Sequence, residues 1–148
     1  MSQANNPAQA YQSTGEIEEV ARRFESCTFV AGEFHHREHL TVIVWYLWKF
    51  PTPEIAAARM REGLYKFLAH HAVDRQKYHE TITLFWVRRV SALLVQGGAE
   101  RYLAESANKI IEACNDANLI YDYYSRELIA SAAAREEWVE PDLRELDF

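Results

Sequence analysis

The stretch His35-His36-Arg37-Glu38-His39-Leu40-Thr41-Val42-Ile43-Val44-Trp45-Tyr46-Leu47-Trp48-Lys49-Phe50, closed by Pro51-Thr52-Pro53, decides the fold. At about 100° per residue, Leu40, Ile43, Leu47 and Phe50 share one side, while Arg37 and Glu38 share another. This spacing predicts a helix from near Gly32 or Glu33 to Phe50, stopped by the prolines. Thr52 then reads as an N-cap with Pro53 at the first helical position, which starts a second helix at once. That helix carries Met60, Leu64, Phe67 and Leu68 and ends near His70 or His71.

Working outward, Ile17, Val20, Ala21 and Phe24 mark an earlier helix from about Glu16 to Ser26. Ile82, Trp86, Val90, Leu93 and Leu94 mark one from about Gln76 to Gln96, closed by Gly97-Gly98. Leu103, Ala107, Ile110 and Cys114 mark another from about Glu100 to Asn115, and a last one covers about Leu119 to Trp138, before Pro141. No stretch alternates as a strand would. The sequence predicts an all-α fold: a single-domain antiparallel helical bundle of five to six helices. A disordered polar tail is expected over 1–15, the helical domain over 16–140 and a C-terminal tail over 141–148.

The chain has 148 residues, enough to bury a core without disulfide or metal. Apolar residues make up 49% and aromatic residues 13%, so large rings build the interior. The net charge is −6 and there is no basic run, which argues against nucleic acid and against an anionic membrane surface as partners. Cys27 and Cys114 stand alone in apolar helical patterns and read as buried thiols. No apolar stretch is long enough to cross a membrane and no leader pattern opens the chain, so a cytoplasmic location is expected.

Six histidines carry the chemistry: His35, His36, His39, His70, His71 and His79. His36 falls in the middle of the Leu40-Ile43-Leu47 stripe and His39 at its edge, one turn away on the same face. His79 falls near the centre of the Ile82-Trp86 stripe. Buried imidazoles need partners. A metal ion would satisfy three together, giving a mononuclear site of His36, His39 and His79 with Glu80 or Glu33 nearby. Zinc, iron, manganese and copper all accept imidazole, and spacing does not choose among them. A two-metal carboxylate site is disfavoured, because only one Glu-x-x-His pair exists, Glu33 to His36. The alternative is that each histidine is a hydrogen-bonded core residue. His70 and His71 are read as C-terminal caps of their helix.

In the metal reading Glu80 is a fourth ligand or general acid/base. Tyr46 and Thr83 orient the imidazoles, and Trp86 and Phe50 wall off water. Tyr121, Tyr123 and Tyr124 read as core rather than pocket. Trp45 and Trp48 lie away from the main stripe, which suggests a second buried face or a homodimer contact.

The segments Phe34-x-His36-x-x-His39-Leu40, Lys77-Tyr78-His79-Glu80-Thr81-Ile82-Thr83 with Trp86, Tyr123-Tyr124-Ser125-Arg126 and Trp138-Val139-Glu140-Pro141-Asp142-Leu143 resemble a family of short uncharacterised bacterial all-α proteins. The resemblance spans most of residues 30–143. It implies no particular reaction, but it marks the same His36, His39 and His79. The leading expectation is therefore a metal-binding helical protein, with a metal-dependent enzyme acting on a small molecule as one form it could take. The rival expectations are a non-enzymatic helical interaction or dimerisation protein, and a protein that binds a small organic ligand with its histidines as hydrogen-bonding groups.

Overall fold

Helix α2 (His36–Lys49) is buried along seven consecutive residues, Leu40 to Tyr46, so it has neighbours on every side rather than a wet and a dry face. A computed structural model of the chain describes residues 9–97 and 102–148. In it α2 is central, touching α1 (Thr14–Glu25), α3 (Pro53–His70), α4 (Glu80–Gln96) and α5 (Leu103–Ala113). Two single-turn helices, α6 (Arg126–Ala130) and α7 (Ala132–Glu136), pack on each other, and α7 packs on α4. No strand occurs among the described residues, and the fold is an all-α, single-domain bundle. None of its described helices is long and apolar enough to cross a membrane.

Local sequence explains where the helices start. Ser13 caps α1 and Glu16 reaches back to the Ser13 amide at 3.1 Å, a reciprocal capping box. Thr52 accepts from the Ile55 amide at 3.2 Å with Pro53 at the first position of α3, as the sequence predicts. The expected start of α4 near Gln76 is too early. Asp74 caps a separate 3-10 turn, Arg75–Lys77, after which Tyr78 and His79 are extended and His79 becomes the N-cap. The helix expected over Leu119 to Trp138 is likewise divided into a 3-10 segment, Ala117–Asp122, then α6 and α7. Ser125 and Ser131 divide it, each hydroxyl accepting from an amide three residues on, as N-caps do. Gly98 and the expected start of the fifth helix near Glu100 lie outside the described residues.

Both expected tails are corrected where the structure describes them. Residues 1–8 of the first are not described, but Tyr11 is buried, its hydroxyl 2.9 Å from Thr41 Oγ1 and its ring under Arg37. The C-terminal segment folds back onto the core. Asp142 accepts from the Ser125 amide at 2.7 Å, Leu143 donates to the Tyr123 carbonyl at 2.9 Å, and the Phe148 ring stands 5.4 Å from Phe85.

An aromatic stack joins α1, the loop before α2, and α3. Phe24 and Phe34 are parallel at 4.9 Å, and Phe67 lies 5.0 Å from Phe34. Phe24 fits because position 63 of α3 is glycine: a Cβ there would stand 2.4 Å from Phe24 Cε2. Trp45 is buried, which supplies the second buried face, whereas Trp48 is 56% exposed beside it. Cys27 and Cys114 are buried free thiols.

Candidate functional site

His36 and His39 leave the first turn of α2 on the side that faces α4. Two clefts open there and share His39 and Ile82 in their walls. The first, about 380 Å³, runs between α2, α4 and the 117–122 segment, and is lined by His36, Leu40, Ile43, Trp86, Asn118, Ile120 and Tyr121. The second, about 300 Å³, runs between α2, α3 and the start of α4, and is lined by Phe34, Leu64, Phe67, Leu68, Lys77, Tyr78, His79 and Thr83. Both are apolar with a few polar groups, the composition of small-molecule pockets.

The three histidines are placed differently from one another. His36 Nε2 donates to the Cys114 carbonyl at 2.8 Å, and its ring stands edge-on to Trp86 at 4.6 Å. This ties α2 to the end of α5. His79 uses both nitrogens: Nδ1 accepts from the Ile82 amide at 3.1 Å and Nε2 donates to the Ile129 carbonyl at 2.7 Å. These bonds fix its tautomer. Burial, with Arg135 nearby, lowers its pKa against the pull of the Ile129 carbonyl, so the ring is neutral.

His39 is the exception. Its ring lies 4.3 Å from Phe34, and neither nitrogen has a hydrogen-bond partner among the described residues. Burial, and secondarily His36, lowers its pKa to about 4. At neutral pH it is an uncharged imidazole, with one donor and one acceptor, in the wall common to both clefts.

The other expected site residues take structural roles. Glu80 is held by both ends of Arg61, at 2.9 and 2.6 Å, and accepts from Tyr78. Burial works to raise its pKa, but the Arg61 and Tyr78 hydrogen bonds outweigh it and hold the carboxylate below its usual range. It is ionised and engaged, which suits an ion-pair anchor better than a general acid. Tyr46 donates to Glu25 at 2.7 Å, on the α1 side, rather than to an imidazole. Thr83 donates to the His79 carbonyl, one turn back in its own helix, at 2.9 Å. Trp86 does wall a cleft, whereas Phe50 lines neither. His71 caps α3 with its backbone, while its buried Nε2 has no partner among the described residues.

As a ligand set, His36, His39 and His79 do not converge: two rings are bonded to carbonyls of different segments. Among the described residues no group of three or more His, Cys, Asp or Glu side chains is placed to hold a metal ion. A wheel places residues on a helix face but does not show which distant carbonyl a ring will meet. Sequence reasoning missed Lys77, Asn118 and Tyr78 as cleft residues, and only the Asp116-Ala117-Asn118 turn pattern could have drawn attention to one of them. No family model, curated protein or solved structure matches the chain.

Proposed function

We propose that this protein binds a small, largely apolar organic molecule in the clefts that meet at His39. The observation that carries the reading is the neutral His39 imidazole, set in the shared wall with no protein partner for either nitrogen among the described residues. His39 is half-buried in that wall, and a ligand with one hydrogen-bonding atom would satisfy its ring. The surrounding rings and aliphatic chains favour a flat or aromatic body. Cleft volumes of about 380 and 300 Å³ suit a molecule of that kind.

The test compares quinoline, which carries a ring nitrogen, with naphthalene, which does not, by NMR titration of the wild type and of His39→Leu. The wild type is expected to bind quinoline roughly tenfold more tightly, the effect of about one hydrogen bond, and the variant to lose that preference while still binding naphthalene. No shift of His39, Phe34 or Trp86 resonances with either compound at millimolar concentration would overturn the reading. The metal-binding expectation is tested in the same tag-free preparation by elemental analysis. Near-stoichiometric metal that survives in His79→Asn and is lost in His39→Leu would restore it with His39 as a ligand.

A further inference from the structure

Lys77 belongs to two cavities at once. It lines the apolar cleft of Phe34, Leu64, Phe67 and Leu68, and it also lines a polar pocket of about 390 Å³ shared with Asp74, Gln76 and Arg135. It is the one residue common to both. Lys77 thus stands in the wall of an apolar cleft and of a polar pocket that carries a second cation, Arg135, and one carboxylate, Asp74.

Asp74 is the carboxylate in the wall of the polar pocket, against two cations, and Glu136 lines a further pocket with Asp74 and Arg135. Asp74 Oδ1 accepts from the Gln76 amide at 2.9 Å, and Glu80 is gripped by Arg61 and Tyr78. Lys77 is exposed and makes no ion pair among the described residues. The chain as a whole carries −6, so any attraction for an anion here is local and does not come from the overall field.

We infer that the ligand is an amphiphilic organic carboxylate. Its anionic head sits at Lys77 and Arg135 in the polar pocket, and its apolar body lies along Phe34 and Phe67 toward His39. This rests on the binding reading above and adds the class of molecule. A carboxylate meeting two cations makes charge-assisted hydrogen bonds, which are stronger than neutral ones, and the apolar body gains by leaving water.

The experiment compares 4-phenylbutyrate with 4-phenylbutan-1-ol, which has the same body without the charge, by calorimetry on the full chain. The acid is expected to bind at least about tenfold more tightly at low ionic strength, with the gap narrowing in about 0.5 M salt as the charges are screened. Lys77→Met is expected to narrow the gap, and Lys77→Met combined with Arg135→Met to abolish it. Far-ultraviolet circular dichroism unchanged from the wild type shows that the variants are folded. Equal binding of acid and alcohol by the wild type, or a gap that survives the double variant, overturns the carboxylate assignment and leaves the binding reading intact. Binding of neither compound overturns the carboxylate assignment, while the binding reading stands or falls on quinoline and naphthalene.

Discussion

The His39 imidazole and the Phe34 ring lie 4.3 Å apart, tilted by 44°. Such packing takes water from much of the half-buried His39 ring, and its proton affinity falls. Its pKa in the fold is about 4 against 6.5 in the ordinary case. Between those values the unfolded chain binds more protons than the folded one, so stability rises with pH there. The stabilisation is complete above about pH 6.5 and is lost as pH falls toward 4, on the order of 3 kcal/mol in full. His79 is shifted in the same direction, so its contribution too is lost as pH falls below the ordinary histidine range. Glu80, held below its usual 4.5, loses its contribution only at more acid pH. Urea denaturation at pH 7 and pH 5 checks this: the wild type is expected to lose stability and His39→Leu to lose clearly less. Parallel losses would exclude His39 as the source.

His79 is a helix cap as much as a cleft residue. His79→Ala removes the bond to the Ile82 amide and strands the Ile129 carbonyl, for an expected loss of about 2–4 kcal/mol. His79→Asn restores a capping side chain and is expected to recover about 1 kcal/mol of it. Denaturant midpoints of the two variants decide the point. Equal losses would mean that the cap contributes nothing.

Gly63 is where α3 meets the Phe24 ring. Alanine is favoured over glycine inside a helix by about 1 kcal/mol. Here, however, the added methyl would meet a fully buried ring at 2.4 Å. Gly63→Ala is expected to destabilise by about 1–3 kcal/mol net. A rise in Tm would show that the ring can move aside.

Ala72 follows the cap of α3 with φ 54°, in the left-handed region, and Val73 donates back to the Leu68 carbonyl at 2.9 Å. That is a Schellman-type ending, in which glycine is preferred. Ala72→Gly at this exposed position is expected to raise stability by about 1 kcal/mol, read as a higher denaturant midpoint.

The helical class and the long helices were legible because Pro51, Thr52 and Pro53 punctuate the chain and the apolar stripes have one period. The breaks at Ser125 and Ser131 were also legible in principle, since both are cap residues, but the apolar content around them reads as one continuous helix. The site was harder to read. Helical spacing put His36, His39 and His79 on inward faces. What separates their roles is which carbonyl each meets, Cys114, Ile129 or none, and those carbonyls lie 78 and 50 residues away in sequence. Glu80 is withdrawn from chemistry by Arg61, a partner on another helix that no local pattern announces.

The burial of α2 on all sides has a consequence for the chain before it folds. Leu40-Thr41-Val42-Ile43-Val44-Trp45-Tyr46 has no charge and no proline, and it is rich in β-branched and aromatic residues. Outside its ring of neighbouring helices, such a segment pairs readily with copies of itself as extended strands. The helix that centres the folded bundle is therefore also its main aggregation hazard, and variants that loosen α1, α3, α4 or α5 around it are expected to be lost to insoluble material before they lose helical content.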